Sequence, residues 1–255
     1  MIKESPKEKV FNVFNIILLL LLAIVFAYPF WYLFIISLNG GEDAIRGGIF
    51  LWPRVFTLSN YEYILNDNST IRAFLVSVGR TVAGTVLGIL FTSMVAFALS
   101  RKELPGKRFF TIIFLITMYF SGGLIPFYIL LVDTHLINTF YVLIIPFLFS
   151  IWNMIIMRTS MRSLPESLIE SAKIDGASFF RILFQIVIPL SMPVLAALSL
   201  FTAVGHWNDW FSGAYYITSD ALRPLQTHLM MVLNGIGMQV TSTSAGQIEI
   251  GRAHV

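Results

Sequence analysis

The composition of this 255-residue chain is that of an integral membrane protein, because 56% of its residues are hydrophobic and only 12% are charged, whereas about a quarter of the residues in soluble domains are charged. The net charge of +3 comes from basic residues in short segments between apolar runs, a distribution that fits positive-inside sorting better than nucleic-acid binding. The chain has no cysteine, which excludes disulfides, thiolate metal sites and thiol nucleophiles.

Five apolar segments are each long enough to cross a bilayer, which takes roughly 20 helical residues. The sequence therefore predicts an all-α, polytopic transmembrane helical bundle. The predicted spans are residues 11–38, 72–100, 109–131, 140–158 and 184–206.

The basic residues around these spans set the predicted orientation. Of the 17 Lys and Arg residues, 11 lie before the first span, between the second and third, or between the fourth and fifth. This bias puts residues 1–10 and the loop 159–183 in the cytoplasm. Residues 39–71, which contain several glycines and Pro53, are expected to form an external loop.

The second span carries two features that are each open to two interpretations. Arg80 lies well inside this span, where an ionised side chain is costly. Such a residue either marks a solute pathway or extends its charged end outward to the membrane surface, which is called snorkelling. Snorkelling is the favoured interpretation. Gly84 and Gly88 allow another helix to approach closely, and packing within the bundle is favoured over contact with a partner subunit.

Two later spans are predicted to be interrupted. Pro189 and Pro193 each remove a backbone donor. The fifth span is therefore either a kinked helix that transmits movement as a lever or a helix that simply begins at Pro193. Residues 121–123 and Pro126 weaken the third span near its outer end, where they shape a gate or merely loosen a turn.

A polar segment separates the fourth and fifth spans. Pro165 and Glu166 are typical first-turn residues of a short helix, and Gly176 supplies a turn. A second amphipathic helix is predicted from Ser178, because apolar residues follow it at helical spacing. The segment therefore predicts a helix-turn-helix lying at the membrane surface.

This segment resembles the EAA loop of ABC importer permeases. Ser171 replaces an alanine of that pattern, and Ile188 replaces the leucine that precedes the distal proline, Pro189. By this resemblance, the residues that dock on the ATPase are Glu170, Ser171, Ala172, Asp175 and Gly176.

Four other stretches resemble the carbohydrate-uptake branch of the same family, which includes the maltose-type second permeases and their polysaccharide-lipoprotein relatives. They are FTLSNY at 56–61, AFALSRKELPGKRFF at 96–110, GLIPFYIL at 123–130 and SIWNMIIMRT at 150–159. The resemblance covers roughly residues 10–230 and implies the fold of a type I ABC importer permease.

The resemblance also implies a function and a set of partners. The chain is expected to form half of the pathway of an ATP-driven importer for sugars or oligosaccharides in a bacterial inner membrane. The expected partners are a companion permease, two ATP-binding subunits, an extracytoplasmic solute-binding lipoprotein and membrane lipid. An importer for a non-sugar solute is the alternative within the family.

Catalytic chemistry is not indicated by the sequence. No P-loop pattern occurs, so ATP hydrolysis is expected on a separate chain, and neither a cofactor nor a metal site is predicted. The four histidines are isolated from one another. The predicted spans contain no Asp or Glu, and Asp209 lies just beyond the fifth, which argues against a secondary transporter and a membrane-embedded protease.

Few polar residues are candidates for the solute pathway. Asn153 beside Trp152 is favoured, and Asn208 is a further candidate. Trp207 and Trp210 flank Asn208 and are suited to stacking on a sugar, but they also suit the membrane interface, which is the favoured interpretation.

The last segment, residues 229–255, departs from the family. Its longest apolar stretch is too short for a span, so a sixth helix is expected to be missing. A truncated or foreign tail is favoured over a naturally short chain.

Overall fold

The computed structural model of the protein describes residues 6–235, and all regular elements in that range are helical. The chain divides into two compact units, one ending at Asn68 and the other beginning at Ser69. The first contains α1 (Pro6–Ser37), α2 (Gly41–Ile45) and α3 (Ser59–Asn66). Helix α1 has 32 residues, a length of roughly 48 Å at the helical rise, and it exposes apolar side chains along most of its length.

The loop after α1 is organised by one buried amide. Asn39 Oδ1 accepts a hydrogen bond from the Val55 backbone at 2.9 Å, and Asn39 Nδ2 donates to Asp43 at 3.0 Å. Asn60 Nδ2 donates to the Asn39 carbonyl at 2.9 Å. These bonds give the predicted external loop a defined conformation, because they satisfy polar groups that would otherwise be costly to bury.

The second unit contains the remaining elements. After α4 (Asn68–Ser100) come shorter helices and three 3-10 turns, Phe140–Leu143, Ile145–Phe147 and Asp220–Leu222. A π-helical segment, Leu183–Val187, joins α9 to α10. The shorter α-helices are α5 (Lys107–Tyr119), α6 (Leu124–Asp133), α7 (Ile151–Arg162), α8 (Glu166–Ile174), α9 (Phe179–Ile182), α10 (Ile188–Leu190), α11 (Met192–Asn208) and α12 (Phe211–Tyr216).

Two of the five predicted spans are single helices, and the other three are bent pairs. Helices α1 and α4 are long and apolar enough to cross a membrane, and α5 with α6 meet at 114°. The segment Phe140–Phe147 meets α7 at 49°, and Phe179–Leu190 meets α11 at 85°. If each bent pair counts as one span, the described residues contain five.

The prediction of an uninterrupted span at 140–158 is therefore wrong, because the chain bends by 49° there. Glycine or proline lies at or near each bend: Gly122 and Gly123 follow α5, and Pro193 lies in the first turn of α11. Pro146 lies in the 3-10 turn that precedes the bend at residues 148–150. Proline lacks the backbone donor that a continuous helix needs. The interruptions expected in the third and fifth spans are confirmed.

The main core of the second unit lies where α7 meets α4, α8, α9 and α11. Met154, Met157 and Met161 are buried on one face of α7, because their spacing follows the helical period. The flexible thioether side chain of methionine fills irregular gaps between helices. Their partners in this cluster include Ala96, Phe97, Ile169, Ala172, Ile182, Leu195 and Leu198.

The predicted atypical tail, 229–255, falls largely outside the described residues. Residues 225–235 are helical, whereas 236–255 lie outside the part of the chain that the structure describes. The expected absence of a sixth span stays a prediction.

Candidate functional site

The polar segment forms the predicted helix-turn-helix. In α8, Ile169 and Ala172 are buried in the main core, while Glu170, Ser171 and Asp175 are exposed. Helix α8 therefore has an inner apolar face and an outer polar face.

The turn after α8 requires glycine. Gly176 has φ +75°, a left-handed conformation that side chains disfavour. The Gly176 backbone N–H donates to the Lys173 carbonyl at 3.0 Å, and the Ala177 N–H donates to the Ala172 carbonyl at 2.9 Å. These two bonds form a Schellman motif. The next helix begins after Ser178, whose hydroxyl accepts from the Arg181 backbone at 3.3 Å.

The five residues predicted to dock on an ATPase do not all face the same way. Glu170, Ser171, Asp175 and Gly176 are exposed, whereas Ala172 packs inward with 9% of its surface accessible. The Ala172 side chain therefore presents little surface to a partner in this conformation. Ile174, which is 86% exposed, was not among the predicted residues. It lies four residues after Glu170 on the same helical face, a spacing that is visible in the sequence.

Two ion pairs connect this segment to the loop between α4 and α5. Lys102 Nζ lies 2.5 Å from Glu166 Oε2, and Lys173 pairs with Glu103. The hydrogen bond from Lys173 lowers the pKa of Glu103, and the bond to Glu166 raises the pKa of Lys102. Because exposed pairs are screened by solvent and salt, we expect them to orient α8 more than to stabilise it.

A second candidate site is a cavity of about 460 Å³ within the second unit. It combines polar side chains with aromatic rings. The polar residues are Arg80, Ser150, Asn153, Thr202, His206, Asp209 and Ser212, and the aromatic ones are Phe147, Phe201, Phe211 and Tyr216.

Arg80 is anchored at this cavity and does not snorkel outward. Its side chain is 1% exposed and forms an ion pair with Asp209. It also donates to the Asp209 carbonyl at 2.9 Å and to Ser212 Oγ at 3.2 Å. The snorkelling interpretation is therefore wrong, because the junction between α11 and α12 supplies the counter-charge that makes burial of a cation tolerable.

Only one of the three predicted pathway residues lines the cavity. Asn153 does, and its Nδ2 donates to Thr202 Oγ1 at 3.1 Å. Trp152, 61% exposed, and Asn208, also exposed, are not among the lining residues. Trp152 lies on a different face of α7 from Asn153, because adjacent helical residues point about 100° apart.

The two glycines of the second span serve close packing within this chain. A Cβ atom at Gly84 would lie 2.5 Å from His206 Nε2, and one at Gly88 would lie 3.4 Å from the Leu148 carbonyl oxygen. The favoured interpretation, packing within the bundle, is confirmed. Because Gly84 has no side chain, the His206 ring can pack against α4 and still line the cavity.

Comparison with known proteins gives a consistent family assignment. Residues 4–246 match the family described as "Binding-protein-dependent transport system inner membrane component". The chain is 34% identical to the polygalacturonan/rhamnogalacturonan transport system permease protein YtcP of Bacillus subtilis (strain 168), over 94% of this chain and 84% of that protein. It is 36% identical to protein LplC of the same organism, over 90% and 78% respectively.

Solved structures agree with this assignment. One chain of a bacterial ABC transporter involved in importing the acidic polysaccharide alginate matches with a TM-score of 0.84 and 31% identity, over 90% of this chain and 82% of that one. A second alginate transporter chain, at 15% identity and a TM-score of 0.55, supports the fold alone. The chain therefore belongs to the family of inner-membrane components of binding-protein-dependent transport systems, and it is an ABC importer permease.

Proposed function

We propose that this chain is a permease subunit of an ATP-driven importer for sugars or oligosaccharides, and that it forms half of the solute pathway. The relatives named for galacturonan and arabinooligosaccharide transport support this class of cargo. The proposed partners are a companion permease, two ATP-binding subunits and an extracytoplasmic solute-binding lipoprotein. The N-terminus and α8 lie on the cytoplasmic side, as the basic-residue bias favours.

The observation that carries the proposal is the outer face of α8. Glu170, Ser171 and Ile174 protrude together beside the turn at Gly176, while Ile169 holds the helix to the core. Such a face would transmit force as a rigid body, because Ile169 and Ala172 belong to the same buried cluster as the methionines of α7 and Leu195 of α11. ATP-driven closure of the ATPase subunits would then shift the pathway between its inward- and outward-facing states.

The cavity at Asn153 is the proposed part of the pathway on this chain. Its volume is in the range of small-molecule sites, roughly 300–1,000 Å³. Asn153, Thr202 and Ser150 offer donors and acceptors for sugar hydroxyls, and the aromatic rings offer apolar faces. Arg80 and Asp209 carry opposite charges, so the pair adds no net charge to the wall.

Reconstitution in vesicles tests the function. The chain alone should show neither ATP hydrolysis nor saccharide uptake, and the complete complex should show uptake that depends on ATP and on the binding protein. The matched control is the same complex without its ATPase subunits. Saccharide uptake by the lone chain would indicate a secondary carrier, and uptake of only non-sugar solutes by the complex would favour the alternative cargo.

Adjacent cysteine variants test the docking surface. The chain has no native cysteine, so Ser171→Cys and Ala172→Cys each introduce a single thiol. We expect a thiol-reactive crosslinker to join Ser171→Cys to an ATPase subunit in the assembled complex, because position 171 is exposed. Ala172→Cys should react far less, because position 172 is buried. Equal crosslinking at both positions, or none at position 171, would contradict the docking assignment.

A further inference from the structure

A cluster of basic side chains surrounds a small cavity beside the first turn of α8. The cavity has a volume of about 310 Å³. Its walls are Ser100, Arg101, Lys102, Arg162, Leu164 and Glu166. Three of these residues are cationic and one is a carboxylate, so the wall has an excess of positive charge.

The excess positive charge extends beyond the wall. Lys107 and Arg158 lie close enough to Arg162 for their charges to repel it. Glu166 is paired with Lys102, and the nearby Glu103 with Lys173. Within residues 6–235, no carboxylate lies within 4.0 Å of the charged nitrogens of Arg101, Lys107, Arg158 or Arg162. An anion in the cavity would offset this repulsion.

Arg101 is held in position for such an anion. Its Nε donates to Ser100 Oγ at 3.0 Å, and its guanidinium lies 5.0 Å from the centre of the Phe97 ring. The Lys107 ammonium caps the Arg101 carbonyl at 3.1 Å. The first two contacts orient the guanidinium without using its terminal nitrogens, and a planar guanidinium binds phosphate oxygens in a bidentate manner.

The position of the cavity indicates where the anion comes from. Ser100 is the last residue of the long apolar helix α4, and Lys107 is the first residue of α5. Phe109 and Phe110, in the first turn of α5, are 63% and 46% exposed. Basic residues next to exposed aromatic ones at the end of a span match the headgroup and upper acyl levels of a bilayer.

We propose that this cavity binds the phosphate of an anionic phospholipid headgroup, with Arg101 and Arg162 as its principal ligands. The bound lipid holds the loop between α4 and α5 against the start of α8, because Lys102 and Glu166 share the same wall. The site does not depend on the solute that the importer carries. A failed transport assay and a failed lipid assay are therefore distinguishable.

Lipid titration of the assembled transporter, purified in detergent, tests this site by native mass spectrometry. We expect phosphatidylglycerol to bind the native chain more tightly than phosphatidylcholine. In Arg101→Gln/Arg162→Gln, phosphatidylglycerol binding should weaken by about tenfold or more, since two charge-assisted contacts are lost. The control Arg46→Gln/Arg72→Gln removes the same charge from exposed positions outside the cavity and should change binding by less than about twofold.

A conservative variant and a soluble competitor separate the alternatives. Arg101→Lys/Arg162→Lys keeps the charge but loses the bidentate geometry, so it should bind with intermediate affinity. Inorganic phosphate should not displace the lipid; displacement would assign the site to a soluble anion and overturn the proposal. Equal binding of the two lipids, or equal losses in the cavity and control variants, would also overturn it.

Discussion

Replacing Arg80 with methionine is expected to destabilise the permease by about 3–5 kcal/mol, the usual cost of removing one partner from a buried ion pair. The change leaves the Asp209 carboxylate without its cation and removes the hydrogen bonds that Arg80 donates to the Asp209 carbonyl and to Ser212 Oγ. Because whole domains are stable by only about 5–15 kcal/mol, we expect poor assembly of the transporter.

The thermal-unfolding midpoint of the purified complex measures this effect. Arg72→Met is the matched control, because Arg72 lies on the same helix and is exposed. Adding Asp209→Asn to Arg80→Met should recover part of the loss, since it removes the unpaired charge, and the double-mutant cycle gives the coupling energy. If Arg80→Met were as stable as Arg72→Met, the buried pair would have no structural role.

Replacing Ile174 with aspartate is expected to weaken ATPase-subunit binding by more than about tenfold, or about 1.4 kcal/mol. Ile174 is 86% exposed at the end of α8, and an apolar side chain of this kind gains affinity by entering a desolvated pocket on a partner. A carboxylate there would have to be desolvated without a partner. The fold should be unaffected, because the side chain makes no core contact.

The affinity of the purified ATPase subunit for the permease complex is the measurement. Ile45→Asp is the matched control, because Ile45 is 88% exposed on α2, in the predicted external loop. Ile174→Asn removes the apolar contact without adding charge and should weaken binding to a smaller degree. Unchanged affinity in both Ile174 variants would place the docking surface elsewhere.

Local signals accounted for the helix-turn-helix. Pro165, Gly176 and Ser178 act through their own backbone preferences and nearest neighbours, so their effects can be predicted without the rest of the chain. The direction in which Ala172 and Ile174 point was harder to predict. Both are apolar, and only the packing of α8 on the main core shows that one is buried and the other is not.

Hydropathy located the spans but not their shapes. The apolar runs at 109–131 and 184–206 are long enough to cross a bilayer, and their prolines and glycines marked the breaks. The bends of 114° and 85° depend on which helices each half packs against. A proline removes a hydrogen bond, but neighbouring helices decide the angle that follows.

The sequence by itself determined the class of the protein, the position of the helix-turn-helix and the family resemblance, because these follow from composition and short-range pattern. Only the tertiary structure paired Arg80 with Asp209, which lies 129 residues away, and brought Asn153 and Thr202 to the same cavity. A buried charge needs a counter-charge, but hydropathy does not show whether lipid headgroups or another helix provide it. That choice depends on long-range packing, which is why snorkelling was the wrong interpretation of Arg80.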